Sequence, residues 1–346
     1  MESIGLFLNI ATLMNDRIFL NRNTYHGDDL LLPWHTLAQS LEQQGVQIRT
    51  SDMLPLEAFD GFLFLEMPER NNPVLQFAIQ AQKPRILLIV ENLFAYAGNL
   101  AYSRYAEFDA VLTYDEHAVV RGIADKLNYA FDLPMSIDVA GYAKREKLAC
   151  MIFGARRQTE KHFIYHRRLQ TILFYEKKHP SDFDLYGRGW GQGSRMLQAS
   201  HPQLHRRLRK ICYLPKIKHP SWKGEVLRKR EVISKYRFCY CYENTMDIPG
   251  YITEKMFDVM MAGTVPIYLG HSDVSRFIPA TCFINRDDFG SESELYQYIS
   301  SMDETQYLEY VQAIHDFLLS DQSYPFSNAC FSDTIKQKVL KHVYNR

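Results

Sequence analysis

One stretch decides the fold of this chain: Tyr240-Cys-Tyr-Glu-Asn-Thr-Met-Asp-Ile-Pro-Gly-Tyr-Ile-Thr-Glu-Lys-Met-Phe-Asp-Val-Met-Met-Ala-Gly263. A β-rich run ends at Glu243-Asn244, and a turn containing Pro249-Gly250 follows. Apolar residues then recur at helical spacing, which predicts a helix near Ile252–Ala262. A strand, a turn and a helix in this order are typical of a parallel α/β sheet.

The start of the predicted helix is a candidate anion site. Tyr251, Glu254 and Lys255 stand at positions i, i+3 and i+4, on one face of its first turn. The N–H groups at a helix start and the positive end of its dipole suit a diphosphate, and Lys255 would add a positive charge. The alternative interpretation is that Glu254 and Lys255 are solvated residues of an amphipathic helix. Residue spacing leaves both interpretations open.

The rest of the chain repeats the same alternation of short apolar runs and helical patterns. Candidate strands in the first half are Ser3–Ile10, Gly61–Leu65, Arg85–Val90 and Ala110–Thr113, and candidate helices lie near Leu31–Gln44 and Val74–Gln82. Candidate strands in the second half are Leu148–Phe153, Phe183–Tyr186, Phe238–Tyr242, Val265–Leu269 and Cys282–Asn285. The predicted helices there lie near Glu160–Tyr175, Lys223–Lys235, Ile252–Ala262 and Glu292–Ser301. The predicted fold class is therefore α/β, with two Rossmann-like domains facing a cleft.

The junction between the two domains is predicted near residue 143. The pattern loosens over Leu133–Lys147, where a charged run, Lys144-Arg-Glu-Lys147, breaks the apolar alternation. We therefore predict an N-terminal domain over residues 1–143 and a C-terminal domain, including the C-terminal helices, over residues 144–346.

Composition excludes several functional classes. The formal net charge is zero, so no overall field attracts nucleic acid. No apolar run reaches the roughly 18 residues of a membrane span. The six cysteines form no CxxC pair with the spacing of a metal site, which favours free thiols in a reducing cytoplasm. The Asp182-Phe-Asp184 sequence leads into a candidate strand and is interpreted as structural. The histidines have no metal-site spacing, and there is no GxGxxG or Walker sequence, so we expect neither a metal nor a cofactor.

Local charge is less even than net charge. From Arg206 to Arg237 there are twelve Lys or Arg and two acids, Glu225 and Glu231. One interpretation is a solvated face. The other is a surface that binds phosphates, either of a nucleotide or of anionic lipid headgroups.

Several blocks resemble the α-1,3/4-fucosyltransferase family, glycosyltransferase family 10, in a bacterial-type form. They are Tyr236-Arg-Phe-Cys-Tyr-Cys-Tyr-Glu-Asn-Thr, Gly-Tyr-Ile-Thr-Glu-Lys-Met-Phe, Ala-Gly-Thr-Val-Pro-Ile-Tyr-Leu-Gly and Cys-Phe-Ile-Asn-Arg-Asp-Asp-Phe289. The similarity is clear over roughly residues 148–289, and Asp184-Leu-Tyr-Gly-Arg-Gly189 adds to it. In the first half it is limited to Glu91-Asn92 and the stretch from Phe108-Asp109 to Leu133-Pro134.

The resemblance implies a fold of the GT-B type and an inverting transfer from a GDP-sugar without a required metal. It also implies site residues: Arg188 and Lys255 would hold the diphosphate, and Glu254 would bind the ribose. Tyr251 and Asn244 would line the nucleoside and sugar pocket.

Two departures from the family pattern affect the predicted donor site. Asn244 and Tyr251 lie one residue further apart than in the best-known members, because an Ile-Pro-Gly turn fills the loop. Gly154-Ala155 stands where the family usually has Ser-Asn. These departures leave the identity of the donor sugar open.

An inverting transfer also needs a base, which takes the proton of the acceptor hydroxyl. Three strand ends of the first domain offer carboxylates: Glu66, Glu91, and Asp115 with Glu116. Each could instead cap the following helix. Glu91 follows the most continuously apolar strand and fits the family's Glu-Asn pair, so we predict that Glu91 is the catalytic base, with Glu66 and Glu116 as reserves.

The expected function is the transfer of L-fucose from GDP-fucose to a hydroxyl of a saccharide acceptor. One alternative keeps the fold and uses another GDP-sugar, and another is a GDP-sugar-binding protein without turnover. The expected partners are the donor and the saccharide, with no nucleic acid and no obligate protein partner. We expect a cytoplasmic enzyme, either soluble or peripheral on the inner membrane face, that builds a surface glycan such as lipopolysaccharide.

Overall fold

The computed structural model describes residues 2–21, 29–137, 139, 142–155, 162–190 and 219–346. These residues form two compact units, each with its own parallel sheet. Unit 1 comprises the described residues of Met1–Leu133, Ile248–Glu254 and Ser320–Arg346, and unit 2 those of Pro134–Asp247 and Lys255–Leu319. The predicted α/β fold class with two Rossmann-like domains is confirmed.

Unit 1 contains a six-stranded parallel sheet in the order β2-β1-β3-β4-β5-β6. Its strands are β1 (Glu2–Phe7), β2 (Val46–Thr50), β3 (Gly61–Leu65), β4 (Arg85–Ile89), β5 (Ala110–Thr113) and β6 (Asp125–Lys126). Its α-helices are α1 (Arg17–Leu20), α2 (Leu32–Glu42), α3 (Pro73–Gln80) and α4 (Glu116–Val120), with a further helix near the C-terminus. The central strand β3 is buried along its whole length, as expected for a strand covered on both faces.

Unit 2 contains a five-stranded parallel sheet in the order β11-β10-β9-β7-β8. Its strands are β7 (Lys147–Ile152), β8 (Phe183–Tyr186), β9 (Tyr236–Tyr242), β10 (Val265–Leu269) and β11 (Ile284–Asn285). Its described α-helices are α5 (Tyr165–Lys178), α6 (Lys229–Ile233), α7 (Glu254–Met261), α8 (Glu292–Ser301) and α9 (Glu304–Leu318). Helix α7 begins at Glu254, the last residue assigned to unit 1.

The division into units differs from the boundary predicted at residue 143 in three respects. The last helix, α10 (Asn328–Tyr344), belongs to unit 1, where Phe331, Ile335 and Val339 join the core formed with β1 and α2. These three residues lie at i, i+4 and i+8, so they form one apolar face that needs a partner. The first crossing between units also falls earlier, after Leu133.

The third difference is the segment Ile248–Glu254, which belongs to unit 1 although the prediction placed it in the C-terminal domain. Ile248 and Tyr251 are buried in the apolar cluster on the face of the sheet that packs against α3. The sequence prediction also missed strands β2 and β6, which lie at the two edges of the first sheet. Among the described residues, no helix combines the length and the apolar character needed to cross a bilayer.

Candidate functional site

The sheet of unit 2 has a switch point between β7 and β9. The chain runs from β7 outward to β8, then returns to β9 and continues in the opposite direction to β10 and β11. In open parallel sheets, ligands bind at the carboxyl ends of the strands where the order reverses. Here that position is occupied by Phe153 after β7 and by Glu243 and Asn244 after β9.

A buried carboxylate at this switch point holds the lysine predicted to bind the diphosphate. The side chain of Glu243 is completely buried, and its Oε2 lies 3.1 Å from Nζ of Lys255. Removing Lys255 would leave a buried carboxylate without a counter-charge, which is costly, so the pair links the end of β9 to the start of α7. The side chain of Lys255 is 21% exposed, so the cation is partly accessible.

Arg168 of α5 fixes the orientation of Asn244. Nη2 of Arg168 donates to the carbonyl oxygens of Tyr242 and, at 2.8 Å, of Glu243, and it lies 3.1 Å from Oδ1 of Asn244. The guanidinium, which is almost fully buried, lies over the rings of Phe153 (4.9 Å) and Tyr165 (4.6 Å). Arg168 therefore neutralises the carbonyl dipoles at the end of β9 and places the amide oxygen of Asn244.

Arg188 lies after β8, the strand beside β7, in a turn that requires glycine. Gly187 has φ +127°, and a Cβ there would lie 2.0 Å from the carbonyl oxygen of Phe153. Nε of Arg188 lies 2.9 Å from Oε2 of Glu225, and both side chains are more than half exposed. Arg188 is thus accessible but already contacts an anion.

A small cavity of about 30 Å³ lies between the sheet of unit 2 and α7. Its lining includes Cys239, Cys241, Lys255 and Asp258. This volume is on the order of one water molecule, so the cavity itself cannot contain a nucleotide.

The segment Ile248–Glu254 carries two other predicted site residues, Tyr251 and Glu254, within unit 1. Tyr251 is only 2% exposed, and its ring centroid lies 5.3 Å from that of Tyr114 and 6.2 Å from that of Tyr129. The structure therefore gives Tyr251 a packing role, and its contact with a nucleoside stays a prediction. Glu254 is half-buried at the first position of α7, and its role toward a ribose is likewise untested.

The turn before Tyr251 requires a glycine and is fixed by backbone contacts. Gly250 has φ +80°, and a Cβ there would lie 2.5 Å from the carbonyl oxygen of Tyr114. The amide of Glu116 donates to the carbonyl of Pro249 over 3.3 Å. The Pro249-Gly250 turn thus docks by backbone contacts onto the strand ends of unit 1.

The three carboxylate positions predicted in unit 1 have different environments. Asp115 is fully buried and caps α4 by accepting from the amide of His117 at 3.0 Å. Glu116 pairs with Lys126. Glu91 is exposed, whereas Glu66 is only 8% exposed. Burial raises the pKa of Glu66 to about 7, although hydrogen bonds from neighbouring amides oppose this shift. Of these groups, only Glu91 combines exposure with a position at a central strand end.

Contacts on both sides fix the backbone of Glu91. Its amide donates to Oε1 of Glu66 at 2.9 Å, and its carbonyl accepts from the hydroxyl of Tyr114 at 3.0 Å. Its own Oε1 accepts from the amide of Asn92 at 2.8 Å. The carboxylate therefore has a defined orientation at the end of β4.

The described part of the chain contains no group of three or more His, Cys, Asp or Glu side chains placed to hold a metal ion. In the Asp182-Phe-Asp184 sequence, Asp182 accepts from the hydroxyl of Tyr296 at 2.7 Å. Asp184 contacts Lys147 at 2.6 Å and Tyr236 at 2.5 Å. Burial alone would raise the pKa of Asp184, but these hydrogen bonds lower it. The two aspartates therefore have structural partners.

Two parallel sheets with charged side chains at the carboxyl ends of their strands define the class of protein: a two-unit α/β protein of the Rossmann-like type, in which ligands typically bind at those strand ends. Within that class, the sequence profile of glycosyltransferase family 10 (fucosyltransferase), C-terminal region, matches residues 142–337. This is more than half of the chain, and the chain therefore belongs to glycosyltransferase family 10.

Individual relatives match over a shorter range. A mouse (Mus musculus) protein, 4-galactosyl-N-acetylglucosaminide 3-alpha-L-fucosyltransferase 9, is 36% identical over 122 residues, which is 33% of this chain and 34% of the relative. The orangutan (Pongo pygmaeus) fucosyltransferase FUT6 is 40% identical over 85 residues, which is 23% of each chain. The matches thus span about a third or less of the length of these curated relatives.

Solved structures share the fold at low sequence identity. The crystal structure of an alpha1,3-fucosyltransferase superposes with a TM-score of 0.51 at 15% identity, covering 100% of this chain and 90% of that one. Anabaena HepE in complex with UDP and glucose gives a TM-score of 0.55 at 11% identity, covering 98% and 99%. At these identities the similarity establishes the fold alone.

Sequence reasoning missed two residues of the unit 2 constellation, Glu243 and Arg168. Glu243 belongs to the quoted strand end, but only the structure shows that its carboxylate is buried against Lys255. Arg168 lies in an Arg167-Arg168 pair on a helix, where a solvated arginine is the ordinary expectation. Tyr165 and Thr171 stand three residues before and after it, on the same helical face, and this spacing was the available signal; the structure buries all three residues.

Proposed function

We propose that this protein transfers L-fucose from GDP-fucose to a hydroxyl of a saccharide acceptor, with inversion at the anomeric carbon. The observation that carries the proposal is the family 10 match over residues 142–337, which includes the strand end and helix start that hold Asn244 and Lys255. The names of the relatives, which are 3-alpha-L-fucosyltransferases, support fucose as the sugar.

The donor is assigned to residues at the carboxyl ends of the unit 2 strands and to the segment before α7. Lys255 and Arg188 bind the diphosphate, since both are cations with exposed surface. Glu254 accepts hydrogen bonds from the ribose hydroxyls, and Asn244 and Tyr251 contribute to the nucleoside and sugar pocket. For Tyr251 this requires that part of its ring leave the packing seen here against Tyr114.

The chemical step is a single displacement. The acceptor oxygen forms a bond to the anomeric carbon while the bond from that carbon to the β-phosphate oxygen breaks, and GDP leaves with the electron pair. Glu91 takes the proton of the acceptor hydroxyl, a role that suits an exposed carboxylate with a fixed backbone. The cations Lys255 and Arg188 stabilise the charge that develops on the diphosphate.

We propose that the step needs neither a metal nor a cofactor, because two cationic side chains serve the leaving group. Incubation with EDTA followed by gel filtration tests this point. Turnover that is lost and then restored by Mg²⁺ or Mn²⁺ contradicts it.

The acceptor is proposed to be a galactose- or N-acetylglucosamine-containing saccharide of a surface glycan such as lipopolysaccharide. The mouse relative's name, which includes 4-galactosyl-N-acetylglucosaminide, supports the choice of test acceptors. A cytoplasmic protein at the inner membrane face would suit this acceptor, and the basic region from Arg206 to Arg237 motivates the idea. Its first part, residues 206–218, lies outside the described residues. Absence of sedimentation with anionic liposomes at low salt would refute the membrane association.

The deciding experiment is a donor screen that measures GDP release with lactose, N-acetyllactosamine and N-acetylglucosamine as acceptors. We expect acceptor-dependent GDP release from GDP-fucose and a new fucoside by mass spectrometry. Faster release from GDP-mannose would favour another GDP-sugar, an alternative supported by the Ile-Pro-Gly turn and by Gly154-Ala155. Binding of GDP without consumption of any GDP-sugar would show a binding protein instead.

A further inference from the structure

Glu66 has a backbone conformation that residues with a side chain rarely adopt. It follows β3 directly and has φ +67°, in the left-handed region that glycine adopts without strain. Its carboxyl group is also almost completely buried. Backbone strain and burial of an ionisable group both need compensation from what the side chain does.

The carboxyl group of Glu66 extends the hydrogen bonding of the sheet beyond the end of β4. Strand β4 ends at Ile89, and the next two amides, those of Val90 and Glu91, donate to Oε1 of Glu66 at 3.1 Å and 2.9 Å. One oxygen atom thus holds the two peptide groups that carry Glu91. A glycine at position 66 would leave both amides without this acceptor.

The second oxygen of Glu66 is held by an asparagine whose orientation is fixed. Oδ1 of Asn99 accepts from the amide of Met67 at 2.9 Å, so its Nδ2 faces Glu66 and donates to Oε2 at 2.5 Å. Asn99 is completely buried, and its carbonyl oxygen accepts from the hydroxyl of Tyr105 at 2.9 Å. Both oxygens of Glu66 therefore face donors, and the arrangement fits an ionised carboxylate that only accepts hydrogen bonds.

We propose that Glu66 is a positioning residue, which with Asn99 clamps the backbone of Val90 and Glu91 and so orients the Glu91 carboxylate toward the acceptor hydroxyl. This inference rests on the proposed function, in which Glu91 takes the acceptor proton. It also separates the roles of two carboxylates that the sequence left as alternatives. Glu66 is not the base, because it is buried and both its oxygens are engaged within the fold.

The clamp is tested first without turnover, by amide hydrogen exchange at residues 89–92. We expect E66A to raise the exchange rates of Val90 and Glu91 at least about tenfold, because the amides lose their acceptor. The matched control is D109N, since Asp109 accepts from the amide of Arg85 at 2.7 Å at the opposite end of the same strand. Unchanged exchange at Val90 and Glu91 in E66A would overturn the clamp.

A rescue variant separates a specific clamp from a general packing effect. E66Q keeps an oxygen for the two amides but places an NH₂ group against the NH₂ group of Asn99, so we expect intermediate exchange rates. Adding N99D restores an acceptor opposite the new amide and keeps the acceptor for Met67. E66Q/N99D should therefore recover most of the protection that E66Q loses, and failure to recover it would contradict the hydrogen-bonding scheme.

The catalytic consequence is tested by a double-mutant cycle with GDP-fucose and the best acceptor. We expect E66A to lower kcat about 10- to 100-fold while the KM for GDP-fucose stays within about twofold. In an E91Q background, E66A should change kcat less than about twofold, because Glu66 acts through Glu91. An equal loss in both backgrounds would show a structural effect and overturn the proposal.

Failure of the proposed function gives a different result. Full turnover by E91Q, or no GDP-fucose consumption by the wild type, removes the base assignment and this proposal with it. An inactive E91Q together with a fully active E66A overturns the positioning role alone. If E66A does not fold, E66Q and the rescue variant carry the same comparison.

Discussion

The carboxyl edges of the two sheets have the same architecture but present different charged side chains. At the edge of unit 1, the residues after β3, β4 and β5 include three acids, Glu66, Glu91 and Asp115. At the edge of unit 2, Arg188 follows β8 and Arg168 covers the end of β9. In unit 2 cations lie beside acids, since Glu243 contacts Lys255 and Glu225 contacts Arg188. The same parallel fold can thus present different sets of charged side chains at its strand ends.

The two edges also differ in how burial assigns roles. In unit 2, the buried carboxylate of Glu243 compensates Lys255 and leaves the cation partly exposed. In unit 1, the buried carboxylate of Glu66 accepts from amides and leaves Glu91 exposed. At each edge, a buried carboxylate therefore holds an exposed charged residue in place: Glu243 holds Lys255 in unit 2, and Glu66 holds the backbone of Glu91 in unit 1. In both cases the buried partner was harder to predict from the sequence.

The largest effect should follow from Glu91→Gln at the unit 1 edge. Because the amide cannot take a proton, we expect kcat for fucosyl transfer to fall about 10³-fold, with little change in GDP affinity. Steady-state kinetics and calorimetry with GDP measure the two quantities, and D109N serves as the control. A kcat within tenfold of the wild type would refute Glu91 as the base.

The second prediction concerns the pH dependence of stability caused by Glu66. Its pKa is about 7 in the folded state against 4.5 for the unperturbed group, so the folded state holds the proton more strongly. The stabilisation is fully present below about pH 4.5 and is lost as the pH rises through 7. From pH 4 to pH 8 the unfolding free energy of the wild type should therefore fall relative to E66Q by about 3 kcal/mol.

Chemical denaturation of both proteins at the two pH values measures this difference. If the difference in unfolding free energy between the wild type and E66Q is the same at both pH values, Glu66 has the same pKa in the folded protein as in a peptide. Near neutral pH the ionised form needed for the proposed clamp is thus obtained at a cost in stability, as is common at functional sites.

Much of the secondary structure was predictable because the local pattern is strong. Strands β3, β5, β8 and β10 and helix α8 have the predicted bounds, since each is an uninterrupted apolar or amphipathic run between clear turn signals. The edge strands β2 and β6 were missed. The first alternates buried and exposed residues over only five positions, and the second has two residues without apolar character.

The assignment of segments to units could not be read from local sequence. Phe331, Ile335 and Val339 show that α10 has a buried face, but the pattern does not identify the surface that it covers. The same holds for Tyr251, whose place beside Tyr114 depends on residues far apart in the chain. The family resemblance supplied candidate site residues, while the pairing of Glu243 with Lys255 required the structure.

The third prediction tests the cationic edge. Lys255→Ala removes a partly exposed cation from the proposed diphosphate site, and we expect GDP affinity to fall about 10- to 100-fold. Calorimetric titration measures the affinity, and circular dichroism verifies the fold. The control is Lys338→Ala, which removes a lysine that pairs with Asp125 in unit 1. Equal GDP affinity in the Lys255 variant and the wild type would remove its assignment to the diphosphate.

The smallest effect is expected from the exposed pair of Arg188 and Glu225. The carboxylate of Glu225 lies 2.9 Å from Nε of Arg188 and therefore competes with an incoming phosphate for the guanidinium. Glu225→Gln should therefore raise GDP affinity. The gain should reach only about threefold, since exposed ion pairs contribute about 1 kcal/mol or less, and it should vanish at high salt. Glu231→Gln is the matched control, as Glu231 forms a similarly exposed pair with Arg228 at 3.3 Å. A similar gain in both variants would indicate a general effect of charge, and weaker binding by Glu225→Gln alone would show that Glu225 places Arg188 for the donor.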